Sequence, residues 1–256
     1  MSKDGDAWKV IVSCCVFGGV FLVRGFRHFR VRRKIEDLPT SKIGTAAQGL
    51  VEFQGQARVY GGRGFVALDG TPVVYSQIQV EYYQSGKNAG WKTKWSYAVG
   101  DRFLIEDSSG VAHVIVKGAD FFLEQETTLW NEVPRDQKVL FLSSAGRNIG
   151  NPSRMDSGSW RIVERKITEG ESILVIGKFK TRAEEPEVTI FDPLTGSERK
   201  IRSSGGLMKD QVHPLLIADG TQDQVLKRVH WGLLGMVLGA LFLTVGILMT
   251  LSKLGL

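Results

Sequence analysis

The sequence predicts a mainly β protein: an antiparallel barrel-like or sandwich-like domain, open to division into two β units, flanked by two transmembrane α-helices. Three observations lead there. Apolar runs lie near both ends, Val10–Val23 and Trp231–Leu251. Between them, apolar and polar side chains alternate with period two, as on half-buried strands. Turn signals separate the alternating segments at short intervals, and many short strands with regular turns close into barrels or sandwiches.

The second apolar run is the plainer of the two. Its 21 residues carry no charge, and about 20 apolar residues suffice to cross a bilayer core as a helix. We place the C-terminal membrane segment at 227–256. The first run has only 14 residues. Trp8 suits an interface, Lys9 and Arg24 can extend their charges out of lipid, and Phe26 and Phe29 prolong one apolar face. One helix over 8–35 is expected, after a short tail at 1–7, with Pro39 preventing its continuation. A secretory signal has its basic residues before the apolar stretch and small residues after it. Here the order is reversed, and no A-x-A site follows.

Arg24, Arg27, Arg30, Arg32, Arg33 and Lys34 follow the first run without an intervening acid. The chain holds 33 basic and 27 acidic residues, so outside this segment the two signs balance. Its charge excess therefore sits at one edge of one apolar run, where anionic lipid headgroups meet it first. Lys227, Arg228 and His230 precede the second run, and only Lys253 follows it. Both basic flanks face the central segment, which places that segment in the cytoplasm and both termini outside. The expected location is a bacterial inner membrane; an organelle outer membrane, with the domain facing the intermembrane space, is the alternative. Nucleic-acid binders need a net basic field. The charge-balanced domain lacks one, so anionic lipid is the expected partner and nucleic acid is not.

Gly235 and Gly239 form a G-x-x-x-G pair in the second run, with Gly246 near the same stripe. Such a stripe either lets another helix approach closely in lipid or reflects ordinary glycine tolerance there. The partner helix is the first run, through Gly18 and Gly19, or another copy of the chain, which makes a homo-oligomer an expectation.

In the middle, Val51, Phe53, Ala57 and Val59 alternate with Leu50, Glu52, Gln54, Gln56 and Arg58, which reads as a strand with one buried and one mostly polar face. Further strands are expected at Val73–Tyr83, Trp91–Val99, Arg102–Glu106, Val111–Lys117, Phe121–Leu129, Lys138–Leu142, Trp160–Ile167, Ser172–Lys180, Val188–Asp192 and Glu198–Ser203. Turns such as Leu68-Asp69-Gly70 and Asp107-Ser108-Ser109-Gly110 punctuate them. Residues 143–159 are rich in Gly, Ser, Asn and Arg and read as a flexible loop. They divide a first β unit, 36–142, from a second, 160–226.

Several of these pieces, in order, resemble one family. Glu36-Asp37-Leu38-Pro39-Thr40-Ser41, Gly49-Leu50-Val51-Glu52 with Gly55-Gln56-Ala57, Phe103 to Gly110, Trp160-Arg161 through Glu164-Arg165 and Gly170 to Gly177 are similar to the GIDE domain. This is the membrane-flanked β domain of the MULAN-type ubiquitin ligases of organelle outer membranes and of prokaryotic relatives. The ligases act through a RING domain whose zinc needs Cys and His pairs. The only cysteines here, Cys14 and Cys15, lie in the first apolar run. No ligase residue is carried over, and the resemblance implies the sensing or scaffolding half alone, like a prokaryotic member without the RING.

No catalytic constellation stands out: there is no H-E-x-x-H, G-x-S-x-G or C-x-x-C. Gly61-Gly62-Arg63-Gly64 lacks the following Lys and Ser/Thr of a phosphate loop. His113 lies within a strand, where packing or solvent exposure explains it. No catalytic, cofactor-binding or metal residue is assigned. The strongest binding candidates are Tyr83, Trp91, Trp95 and Tyr97. The last three share parity and one strand face, either as a core of cross-strand aromatic pairs or as a platform for a partner. The expected function is a two-pass membrane scaffold or adaptor, self-associating and not an enzyme, which binds protein partners and anionic lipid. A membrane-bound enzyme with a cryptic site between the β units, or a partner subunit of a ubiquitin-ligase-like system, is the alternative.

Overall fold

The computed structural model describes residues 3–61, 64–139, 155, 159–181, 187–191, 198–210 and 215–254. The chain forms two units, one of residues Met1–Pro39 with Gln222–Leu256 and one of Thr40–Thr221. In chain order the elements are α1 (Lys3–Glu36), β1 (Gly49–Arg58), β2 (Phe65–Val66), β3 (Pro72–Gln84), β4 (Gly90–Val99), β5 (Arg102–Glu106), β6 (Val111–Ile115) and β7 (Asp120–Phe122). There follow β8 (Glu126–Leu129), β9 (Trp160–Thr168), β10 (Ser172–Lys180), β11 (Glu187–Phe191), β12 (Glu198–Arg202), β13 (Gly206–Met208), β14 (Leu216–Asp219) and α2 (Gln222–Leu254).

The helical unit is an antiparallel pair. Two spans are long and apolar enough to cross a membrane, Ile11–Arg30 with 20 residues and Gln222–Ser252 with 31. Ile11, Gly18 and Gly25 are buried at intervals of seven on α1, and Val225, Gly239 and Gly246 fall on the same spacing on α2. A seven-residue repeat keeps one seam facing a partner helix. Glycine decides how close the backbones come: a Cβ at Gly25 would lie 2.4 Å from the Cβ of Met236. Away from the seam, Val12, Val16, Val20, Leu238, Leu241 and Phe242 are exposed.

The β unit contains a closed five-stranded barrel, in the order β1-β5-β6-β13-β10, with β1 pairing back to β10. All its ladders are antiparallel except β6–β13. Counted along the chain, the ring runs first, second, third, fifth, fourth, with the third and fifth parallel, which is the connectivity of an OB-type Greek-key barrel. Phe53, Phe103, Ile105, Val114, Val175 and Phe179 fill the interior, and Phe53 meets Phe179 edge-on at 5.2 Å. Burying each such side chain is worth about 1.5–3 kcal/mol. Gly55 lets β1 press against β5, since a Cβ there would lie 2.3 Å from the Glu106 carbonyl oxygen. The strand β14 extends β10 outward, β7 runs parallel to it, and the β11–β12 hairpin packs Val188 and Ile190 on Leu104 and Val111.

The second sheet is a half-barrel. β3 is its spine, pairing with β9 on one edge and with β2 and β4 on the other, and β8 borders β9. Strands from before and after residues 143–159 interleave in both sheets. Of that expected loop, only residues 155 and 159 are described.

Most expected strands are present, with four differences. Phe121–Leu129 is two strands, β7 and β8, in different sheets. Residues 135–139 form a helical turn, with the Lys138 N–H donating to the Pro134 carbonyl at 2.9 Å, where a strand from Lys138 is expected; residues 140–142 lie outside the described residues. A proline at the start of a helix gives up no hydrogen bond. The short strands β2, β13 and β14 carry too few residues for alternation to reveal them. Glu52, expected on an open polar face, is fully buried. Its carboxyl accepts from Thr40 Oγ1 at 2.7 Å while the Ser41 N–H donates to its backbone carbonyl, so the segment after α1 covers this strand face.

Candidate functional site

The half-barrel sheet ends in a cleft built by tryptophans. Trp160 opens β9 opposite Tyr82 of β3. Its indole stacks on Trp95 at 5.5 Å with the planes 14° apart, and meets Tyr82 at 5.6 Å. Trp91 belongs to the opposite face, but as the second residue of β4 it still borders the cavity at the end of the sheet. The ladder between β3 and β4 shifts between Val80, opposite Trp95, and Glu81, opposite Thr93. The extra residue is Lys94, and a bulge of this kind reverses the side-chain alternation beyond it. The expected single aromatic face of Trp91, Trp95 and Tyr97 is therefore split. Trp95 and Tyr97 pack on the sheet's core with Ile78, Val80 and Ile162. Trp91 joins Tyr83, which is 47% exposed, in an edge-on contact at 5.5 Å.

Trp91, Trp130, Trp160, Met155, Asn131 and Lys138 line the resulting cavity of about 510 Å³. Trp130 sits in a short 3-10 turn after β8 and is buried. Two cations lie over the cavity's tryptophans, Lys138 from within the lining and Arg161 from outside it. The Arg161 guanidinium is 4.4 Å from the Trp91 ring centre, and Lys138 Nζ is 5.1 Å from that of Trp130. Such contacts contribute about 0.5–2 kcal/mol each. The Arg161 charge is matched by Glu81, whose Oε2 lies 2.7 Å from Nε. Lys138 has no carboxylate within 4 Å among the described residues.

A polar network stiffens the same sheet. Glu164 is buried; its Oε1 accepts from Ser76 Oγ at 2.6 Å and its Oε2 from the Leu68 N–H at 3.3 Å. Burial pushes its carboxyl above the ordinary range against these hydrogen bonds. Burial, and then the negative charge of Glu164, raise the Tyr97 phenol. Lys166 Nζ lies 2.6 Å from Asp69 and 2.9 Å from Glu126. Partial burial opposes ionisation of Asp69, yet hydrogen bonds from Lys166 and Thr71 hold its carboxyl down at about 2.

A second concavity, of about 600 Å³, runs beside β1, with the polar side chains of Gln54, Gln56, Arg58, Glu106 and Arg199 on its walls. Glu106 bridges Arg58, at 2.9 Å, and Arg199. His113 packs edge-on against Tyr60 at 5.2 Å. Among the described residues, the carboxyls raised by burial, Glu52 and Glu164, stand on β1 and β9.

The basic segment lies along α1. Arg32 pairs with Glu36 at 2.8 Å and Arg33 with Asp37 at 3.7 Å, while Arg30 lies 5.8 Å over the Phe26 ring. Arg24, Arg27 and Lys34 follow the same helix. In α2, Gly239 sits at the crossing with α1, Gly235 is 3.6 Å from the Phe21 ring at the Cβ it lacks, and buried Gly246 accepts from Thr250 Oγ1 at 2.8 Å. Sequence reasoning missed Trp130 and Lys138 altogether. It held Trp160 only as the start of a strand and as part of a resemblance. The available signal was that four of the six tryptophans, Trp91, Trp95, Trp130 and Trp160, fall in the β region.

Fold and cleft together define a barrel-containing β domain with a tryptophan-lined cavity, in a chain that also carries two long apolar helices. Compared with family models, curated proteins and solved structures, the chain matches none.

Proposed function

We propose that this chain is a two-pass membrane protein whose β domain acts as a scaffold or adaptor, holding a polypeptide partner in the tryptophan cleft. The convergence of Trp91, Trp130 and Trp160 on one cavity carries this reading. Aromatic residues with polar tips dominate protein-binding hot spots, because they bury large area at low entropic cost. The exposed apolar sides of α1 and α2 support membrane insertion. The Arg24–Lys34 collar orients the β domain toward the cytoplasm and rests on anionic headgroups; the exposed Arg32–Glu36 and Arg33–Asp37 pairs are worth too little to prevent that. A scaffold without effector chemistry is also what the GIDE resemblance implies. The glycine stripe supports pairing within one chain, and self-association would use the outward apolar faces.

The test places a photo-crosslinking amino acid at Asn131, at the cleft, and at exposed Lys117 as a control, in the full chain in its membrane. A discrete polypeptide adduct from position 131 that disappears in Trp91→Ala is expected. No adduct, or the same adducts from both positions, would sink the reading.

A further inference from the structure

The charge pattern of the cleft narrows what enters it. Lys138, part of the cavity lining, lies over one face of Trp130, and Arg161, outside the lining, lies over one face of Trp91. A cationic ligand entering the cavity would meet the like charge of Lys138. The two cations differ in what balances them. Arg161 is held by Glu81, which also accepts from Thr93 Oγ1 at 3.2 Å. Lys138 is half-buried and rests on indole alone among the described residues. An ammonium partly removed from water gains from an incoming anion. The rest of the cavity wall is apolar or neutral: Trp160, Met155 and Asn131.

Resting on the binding role proposed above, we infer that the cleft takes an acidic peptide segment, with an apolar or aromatic side chain seated against Trp91 and Trp160 and a neighbouring carboxylate on Lys138. The cavity of about 510 Å³ suits a short segment, since ligand sites fall in the range of about 300–1,000 Å³. Single-stranded nucleic acid also combines stacking with negative charge, but it tracks along a basic groove. Among the described residues this cleft is lined by one cation with no carboxylate beside it, Lys138, and the neighbouring Arg161 is paired with Glu81. A peptide fits that pattern and a polyphosphate chain does not.

The experiment uses the full chain in detergent micelles and three fluorescein-labelled probes: a nonapeptide with Phe flanked by Asp and Glu, the same peptide with each acid replaced by Lys, and oligo-dT. Fluorescence anisotropy is expected to show the acidic peptide binding about tenfold or more tightly than the lysine peptide, with affinity falling as salt rises. Lys138→Gln keeps most of the stem over Trp130 and is expected to abolish most of that preference; Lys138→Glu is expected to reverse it. Near-UV circular dichroism identifies any variant that has lost the fold, and Lys138→Gln then decides alone. Equal binding of both peptides, preference for oligo-dT, or no binding of the acidic peptide overturns the inference. The adduct from position 131 separates the two levels: if it forms while the acidic peptide fails, the ligand class is wrong and the binding role stands; if it does not form, the binding role itself fails.

Discussion

Gly18 and Gly239 meet where neither position has room for a methyl group: a Cβ on either would lie 2.9 Å from the other's carbonyl oxygen. Helix association in lipid draws little on hydrophobicity and depends on such close backbone approach. Gly239→Leu is expected to destabilise the helix pair by about 1–3 kcal/mol, the cost of overpacking. Gly19, with nothing within 4 Å of its would-be Cβ, supplies the control, and Gly19→Leu should be near neutral. Thermal unfolding in one detergent compares them. Equal midpoints for Gly239→Leu and the parent chain would remove the seam's role.

Glu52 gives the β domain a pH dependence. Burial raises its carboxyl above the ordinary 4.5, opposed by the Thr40 hydrogen bond, and its Oε2 has no partner among the described residues. Between 4.5 and the raised value the folded state binds more protons than the unfolded one, so stability from protonated Glu52 is fully present below 4.5 and is lost as pH rises through the folded value. Glu164 acts in the same direction. Glu52→Gln should flatten this slope in urea unfolding measured from pH 4.5 to 8. An unchanged slope would contradict the assignment.

Asp69 works with the opposite sign. Its carboxyl is held down at about 2 from 3.8, so its contribution is present above 3.8 and is lost as pH falls toward 2. Asp69→Asn should lose less stability than the parent chain over that acid interval. Parallel acid-unfolding curves would show that Lys166 does not draw on this partner.

The tryptophan wall and its rim should separate by energy. Trp160→Ala removes the stack on Trp95 and the contact with Tyr82, and about 2–3 kcal/mol is expected for a half-buried aromatic packed on one side. Tyr83, 47% exposed, should cost under about 1 kcal/mol as alanine. Denaturant midpoints at constant slope read both. A Tyr83→Ala loss equal to that of Trp160→Ala would mean that the rim carries the sheet.

Orientation is tested by reporters placed within residues 143–159 and after Leu256. Activity of the cytoplasmic reporter in the first position and of the extracytoplasmic one in the second is expected; the reverse pattern would overturn the arrangement.

Much of the architecture is legible in the amino-acid order, and where it is not, the reason is physical. Apolar length marks both helices, and alternation places β1, β5 and β10 within a residue of their bounds. Alternation tells which side of a strand is apolar, yet not what covers the other side, so Glu52 reads as solvent-facing until the segment at Thr40 is seen lying over it. Trp91 and Trp95 share parity, but the bulged residue Lys94 turns them to opposite faces. The cleft draws Trp130, Lys138 and Trp160 from separate segments, and no spacing rule joins them.

The linear order by itself determines that two apolar helices frame a β domain and that its charge excess sits beside the first, because length, period and charge are local properties of the chain. Only the folded arrangement decides that β1 closes on β10, that β3 pairs with β9, and which tryptophans share a wall. Strand partners and register depend on backbone hydrogen bonds between distant segments, and those bonds are nearly blind to side-chain identity.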